Sequence, residues 1–137
     1  MDFKTFRKRA FLIHERIKDK EAHLEEIRER ATHCTSSWDQ APGKALGSRV
    51  EIFSAQACEL EKQLTQLKEW AAEIDGILSQ LEPTHKVVIE CRYIYDDCWA
   101  SIAHKVHRRH DHVRGWLKKK ALEDLEKILC GITHNHT

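Results

Sequence analysis

The most regular hydrophobic pattern in the chain lies between Val50 and Leu81. Its apolar residues are separated by gaps of three and four that alternate throughout: Val50, Phe53, Ala57, Leu60, Leu64, Leu67, Ala71, Ile74, Leu78 and Leu81. A repeat of about 3.5 residues keeps one narrow apolar stripe facing a partner helix, which is typical of a coiled coil. The pattern predicts a long helix that Ser48 caps at its start and that Pro83 ends after Glu82.

The N-terminal segment repeats this pattern less completely. Apolar residues in the same register are Phe3, Phe6, Ala10, Ile13, Ile17, Leu24, Ile27 and Ala31, with Lys20 as a polar interruption. The segment CTSSWDQAPGKALGS, rich in Ser, Gly and Pro, separates the two patterns and predicts a loop over about residues 34–48. We therefore expect a long antiparallel helical hairpin.

Each stripe of this hairpin is narrow, so we expect two copies of the chain to associate through it as a homodimer. The residues expected at that oligomerisation contact are Val50, Phe53, Leu60, Leu64, Leu67 and Ile74. The alternative is that the seam packs only against the C-terminal part of the same chain.

After Pro83 the apolar positions predict shorter helices. One face combines Val87, Val88, Cys91 and Tyr93, a second combines Trp99, Ile102, Ala103 and Val106, and a third combines Val113, Trp116, Leu117, Ala121, Leu122, Leu125, Ile128 and Leu129. The residues YDD at 95–97 end the first helix and offer an acidic cap to the second, and Gly131 is expected to end the third. A short second helix and a turn of about four residues, HRRH, before the third are typical of a helix-turn-helix.

These patterns together predict an all-α protein. We expect residues 1–82 to form the coiled-coil hairpin, residues 83–130 the helix-turn-helix domain and residues 131–137 a flexible tail. Composition agrees, because 33% charged and 7% aromatic residues, with five Gly and two Pro, suit long helices better than a sheet.

Positive charge is concentrated in one segment. The formal net charge is only +1, yet residues 105–120 contain seven Lys and Arg residues against one acid, Asp111. The seven are Lys105, Arg108, Arg109, Arg114, Lys118, Lys119 and Lys120. Such a segment favours a polyanion as the partner.

The C-terminal motifs resemble a known DNA-binding domain. LEPTHKVVIECRYIYDDCWASIAHKV followed by HVRGWLKKKALEDLEKIL is similar to region four of bacterial sigma factors, in which L-x-P-x-x-x-x-V-I-x-x-R-Y precedes a W-x-x-I-A helix and a recognition helix ending in A-L-x-x-L. With the heptad hairpin in front, the chain resembles phage and prophage late-gene transcription activators of the ArpU and RinA type. The motif match covers about residues 81–129, and the hairpin matches in architecture alone.

In a helix-turn-helix the start of the third helix enters the major groove, and basic residues near the turn hold phosphate. The expected base contacts are His110, Asp111, Arg114 and Lys118, with Gly115 on the same outward face, and the expected phosphate contacts are Lys105, Arg108, Arg109 and Lys119. Two features depart from the family pattern. Gly115 costs a helix about 1 kcal/mol relative to alanine, and the interval from Val113 to Ala121 is one residue longer.

Two other kinds of site were weighed against this interpretation. Cys98, His104, His107, His110 and His112 could supply zinc ligands, but no C-x-x-C or H-x-x-x-H spacing anchors a tetrahedral site, so we expect no metal and no cofactor. No nucleophile with an oriented base is evident, so we expect no enzyme. Trp99 and Trp116 are expected in the core, and Trp38 either packs on the hairpin or marks a partner contact.

The function expected from these patterns is sequence-specific binding of double-stranded DNA by a dimeric transcription regulator. The alternative is a protein-interaction module of sigma-like descent that binds RNA polymerase or another regulator. Five cysteines without C-x-x-C spacing predict reduced thiols, and no apolar run approaches the roughly twenty residues of a membrane span. We therefore expect the cytoplasm of a bacterial host cell and no membrane partner.

Overall fold

The computed structural model describes the backbone of residues 1–36 and 43–135, with side chains over residues 1–32 and 50–131. Every regular element in these ranges is helical, which confirms the all-α fold class. The helices are α1 (Phe3–Ala10), α2 (Ile13–Ser36), α3 (Gly43–Leu78), α4 (Pro83–Ile89), α5 (Trp99–Lys105), α6 (His110–His112) and α7 (Lys118–Asn135). A first π-helical turn (Glu90–Ile94) continues α4, and a second (Val113–Leu117) joins α6 to α7.

The chain divides into two compact units. The middle unit comprises residues 15–68, and the terminal unit comprises residues 1–14 together with 69–137. This division differs from the boundary expected at residues 82 and 83, because both flanks of the expected hairpin belong with the C-terminal helices.

In the middle unit α2 and α3 pack side by side in opposite directions. Their shared core is made by Leu24, Ile27, Leu60 and Leu64, with Ile17, Phe53 and Ala57 packed against it. Two ion pairs give the direction, since Glu21 pairs with Lys68 at 3.5 Å while Arg28, further along α2, pairs with the earlier Glu61 at 2.9 Å. Exposed pairs of this kind stabilise little, so the apolar stripe carries the association.

The seam of α3 is covered within one chain. Leu60, Leu64, Leu67 and Ile74 are buried without a second copy, and Val50 and Phe53 are half-buried. The stripe of α2 fills the narrow stripe of α3 in the middle unit, so the burial that motivated a dimer through these residues is achieved intramolecularly. The expected dimer contact at these six residues stays a prediction.

The first helix is not continuous with α2, although the apolar register runs through both. The chain breaks at Phe11 and Leu12, where Leu12 has a left-handed φ of 48°. The amide of Leu12 donates a hydrogen bond of 2.9 Å to the carbonyl of Ile94. This bond ties the break to the end of the first π-helical turn, so the single helix expected over this segment is wrong.

The short helix α1 belongs to the core of the terminal unit. Phe6 and Ala10 are completely buried, and the ring of Phe3 meets that of Tyr93 edge to face with centroids 5.5 Å apart. The remaining fully buried large side chains of this unit come from the other helices: Ile13, Ile74, Ile77, Leu78, Val88, Ile89, Ile94, Ile102, Val113 and Leu125. The N-terminal residues therefore complete the C-terminal domain.

Several helix ends also differ from expectation. Ser48 lies inside α3, which begins at Gly43 and ends at Leu78, before Pro83 starts α4. Proline suits this first helical position because its missing N–H would have no helical partner there. Gly131 lies inside α7, because one glycine weakens a helix without ending it. The helices α2 and α3 each extend into the segment expected as a loop, and the expected tail is helical through residue 135. Trp38 lies outside the described residues.

Candidate nucleic-acid interface

Residues 106–109 separate α5 from α6 and reverse the chain tightly. The amide of Arg108 donates to the carbonyl of Ala103 at 3.0 Å, and that of His107 donates to His104 at 3.3 Å. These two bonds form a Schellman motif, which places His107 in the left-handed region with a φ of 56°. The reversal leaves the side chains of Arg108 and Arg109 exposed immediately before the next helix.

The acidic residues before α5 do not cap it as expected. No side chain caps α5, and the carboxylate of Asp97 instead accepts a 2.7 Å hydrogen bond from Nζ of Lys105. This bond raises the pKa of Lys105 above its ordinary value. The carbonyl of Asp97 also accepts from Arg92 at 3.0 Å. Lys105, an expected phosphate contact, therefore already has an anionic partner.

A π-helical turn widens the start of the C-terminal helix that runs from α6 through α7. The amide of Lys118 donates to the carbonyl of Val113, five residues earlier, so the turn over Val113–Leu117 holds one residue more than an α-helical turn. This turn lies within the interval from Val113 to Ala121, which is one residue longer than the sequence pattern quoted above for sigma region four. No break results, because the backbone keeps right-handed helical angles on both sides of the turn.

The wider turn reduces the drift between residues four apart at the start of this helix. The buried row is Val113, Leu117, Ala121, Leu125 and Leu129. In an ideal α-helix, residues four apart drift around the axis by about 40°, and the π-helical turn counters this drift. The exposed side shows the same alignment, since the rings of His112 and Trp116 stack at 5.1 Å and Nζ of Lys120 lies 6.0 Å from the Trp116 ring.

Three further rows therefore accompany the buried one over the first turns of this helix. Asp111, Gly115 and Lys119 are offset by two positions from the buried row and lie opposite it; we call them the outward row. On one flank lie His112, Trp116 and Lys120, and on the other lie His110, Arg114 and Lys118. All of these residues are exposed except Lys118, which is half-buried.

The tryptophans differ from the expected core positions. Trp116 is 54% exposed, so its assignment to the core is wrong, and Trp99 is half-buried. Two cations approach the Trp99 ring, with Cζ of Arg92 at 5.1 Å and Nζ of Lys118 at 5.3 Å from its centroid. Lys118, expected to read bases, thus packs its ammonium over Trp99, where a cation–π contact stabilises it.

Four cations of the segment remain without a partner. Within the described residues, Arg108, Arg109, Arg114 and Lys119 make no ion pair or side-chain hydrogen bond, and all four are exposed. Two longer contacts occur at this helix start, with Nδ1 of His110 3.8 Å from a carboxylate oxygen of Asp111 and Nζ of Lys120 3.7 Å from one of Glu123. The segment therefore presents unneutralised positive charge beside one exposed acid.

The sequence patterns place Trp116 in the core and Gly115 among several outward residues, whereas in the structure Trp116 lies on an exposed flank and Gly115 lies at the centre of the outward row. The signal was available, because the spacing of four from Val113 to Leu129 is visible in the sequence. A wider turn helps a helix to keep this spacing on one face, because it counters the drift of an α-helix.

No protein-family model, curated protein or solved structure matches this chain. The resemblance to sigma region four consequently stays a prediction from sequence motifs. Over the described residues, no three His, Cys, Asp or Glu side chains lie close enough together to hold a metal ion. None of the helices in residues 1–36 and 43–135 combines the length and apolar character that crossing a bilayer requires.

Proposed function

We propose that this chain is a sequence-specific regulator of transcription that binds double-stranded DNA and is encoded by a phage or prophage. The observation that carries the proposal is the group of four exposed cations without partners, Arg108, Arg109, Arg114 and Lys119. They lie on the turn and first turns of one helix, in a chain whose net charge is only +1. A regular array of phosphates is the partner that such a concentration of charge favours.

The geometry around the turn supports separate roles for the cations in phosphate contact and base contact. Arg108 and Arg109 precede the helix on an exposed reversal, where long basic side chains reach phosphates on the edge of a groove. Arg114 follows on the exposed flank of the helix, where a guanidinium can pair with the O6 and N7 atoms of guanine. Asp111 opposes phosphate but can accept from the amino group of cytosine, which favours binding to particular sequences over binding to any duplex.

We propose a homodimer as the DNA-bound form, because two copies would present two reading helices to a palindromic site. Leu60 and Leu64 are buried within one chain, whereas Val50 and Phe53 are half-buried, so the proposed dimer contact depends most on the latter two. Ile52 is exposed on the middle unit and precedes the half-buried Phe53 in the sequence. Its apolar side chain fits such a contact.

A protein partner such as RNA polymerase is a second candidate function, and the exposed ring of Trp116 favours it. Exposed tryptophans are enriched where proteins bind each other. The two candidates differ in their response to salt. The two phosphate contacts proposed for Arg108 and Arg109 predict, for each bound copy, that the logarithm of the DNA-binding constant falls with the logarithm of salt concentration with a slope of about −1.8, whereas a protein contact has a slope near zero.

Selection of bound fragments from random duplex DNA tests the proposal directly. We expect an enriched sequence, palindromic if the homodimer binds, and affinity that falls steeply with salt. Fragments without an enriched sequence, or a slope near zero, would contradict the proposal.

Two variants then separate base reading from phosphate binding. Arg114→Ala should lose about 1–3 kcal/mol on the selected duplex and relax the preference at one base pair. Arg109→Ala should weaken selected and scrambled duplexes equally and reduce the salt slope by about one unit. Anisotropy titrations at several salt concentrations measure both effects. The reverse assignment of the two effects would mean that the helix enters the groove in a different orientation.

A further inference from the structure

Gly115 has no role that the fold itself requires. No described glycine has a positive φ, so its backbone is open to any residue, and a Cβ built on Gly115 meets nothing within 4 Å. An exposed glycine inside a helix costs about 1 kcal/mol relative to alanine, because it gains most conformational freedom on unfolding. Alanine would therefore stabilise this helix without any steric conflict inside the chain.

The position of Gly115 is distinctive on the surface. It lies in the middle of the outward row, opposite the buried side of the helix, with Asp111 one turn before it and Lys119 one turn after it. Arg114 is its exposed neighbour, and neither Arg114 nor Lys119 has an ionic partner among the described residues. The one outward position without a side chain is thus surrounded by the charges that the proposed function uses.

A helix with its side chains is about 10–12 Å wide and nearly fills a major groove about 12 Å wide and about 8.5 Å deep. The side chains that point to the floor of the groove set how far the helix can enter. A glycine at that point lets the backbone approach the base edges more closely, which is a recurrent use of glycine at ligands.

We propose that Gly115 is the point of closest approach between this helix and the base edges of its DNA site, with Asp111 and Lys119 contacting bases on either side. The inference rests on the proposed DNA binding and deepens it. It assigns base contact to Lys119, since the ammonium of Lys118 lies over the Trp99 ring.

Gly115→Ala and Gly115→Leu test the proposal, and Gly76→Ala is the matched control. Gly76 is an exposed glycine of α3 whose added Cβ also meets nothing within 4 Å, but it lies beside the acidic Asp75. Both alanine variants should unfold at a slightly higher temperature than the wild type, with unchanged helix content by circular dichroism. Stability and binding are therefore read independently.

Binding to the selected duplex should fall by about threefold or more for Gly115→Ala and by about tenfold or more for Gly115→Leu. Binding to a scrambled duplex should change much less, because phosphate contacts hold a nonspecific complex without deep insertion. Gly76→Ala should bind both duplexes like the wild type. Fragments selected again with Lys119→Ala should show a relaxed preference at one base pair while those selected with Lys118→Ala retain it.

A folded Gly115→Leu variant that keeps wild-type affinity for the selected duplex would overturn this inference and leave the proposed function standing. A wild-type protein that selects no sequence would overturn both. If Gly115→Leu weakens selected and scrambled duplexes equally, the position acts on general DNA affinity, and its assignment to close base approach is wrong.

Discussion

Phe6 offers the sharpest test of how the terminal unit is built. The side chain is 0% exposed, and it belongs to α1, a helix that the apolar register assigns to a hairpin separate from the C-terminal helices. Phe6→Ala removes a ring from a filled core, and such changes cost about 3–5 kcal/mol when the site cannot collapse. Domains of ordinary size have about 5–15 kcal/mol of stability in total, so this variant should lose a large fraction of it.

Thermal unfolding followed by circular dichroism measures the loss. A change of this size should lower the midpoint of the terminal unit by at least about 12 °C. Phe11→Ala is the matched control, because Phe11 is 44% exposed and its truncation should cost only about 1 kcal/mol. Both variants remove the same atoms, so the difference between them reports burial.

Hydrogen exchange locates the effect along the chain. Phe6→Ala should accelerate exchange of amides in α4 and α5 as well as that of Leu12, whose N–H bonds to Ile94. Unchanged protection in α4 and α5 together with faster exchange in α2 would refute the reasoning. That result would mean that α1 supports the hairpin and not the C-terminal helices.

Two further predictions concern the turn and the acidic contact of the terminal unit. His107 has a φ of 56°, so His107→Gly should raise the free energy of unfolding by up to about 1 kcal/mol, whereas the β-branched His107→Val should lower it, as urea titration will show. Equal free energies of unfolding for His107→Val and the wild type would contradict a left-handed backbone at His107. The hydrogen bond from His85 lowers the pKa of Asp124 below its usual 3.8, so the stability that this carboxylate contributes is present above that value and is lost as pH falls through the lower, folded-state pKa. The stability difference between wild type and Asp124→Asn should accordingly shrink between about pH 5 and about pH 2, and a constant difference would exclude this contact as its source.

The sequence predicted the helical class and the buried stripe of α3 well, because alternating gaps of three and four are a direct consequence of helix geometry. Leu60 and Leu64 are buried as that pattern requires. The pattern does not specify the partner, since a narrow stripe fits a second copy and a neighbouring helix of the same chain equally well. Here α2 supplies the partner in the middle unit.

The break at Leu12 was invisible for a related reason. Ala10 and Ile13 continue the register across it with a gap of three, and neither glycine nor proline marks the left-handed residue. The break depends on a tertiary hydrogen bond to Ile94 and on the burial of Phe6, which are properties of the folded chain. Local helix propensity therefore predicts neither the hydrogen bond nor the burial.

The set of side chains that the proposed DNA-binding helix presents outward depends on the single additional residue in its π-helical turn. Five apolar residues spaced by four from Val113 to Leu129 would drift about 160° around an ideal α-helix, which is too far to remain on one buried face. The π-helical turn at 113–117 counters part of this drift at the start of the row, and all five residues are buried. The same turn moves Trp116 outward, brings Lys118 over Trp99 and leaves Lys119 beside Gly115 on the outward side. The choice of side chains that can meet a groove is thus made by the packing of the opposite face, and any variant that restores an α-helical turn there should exchange the roles of the two lysines.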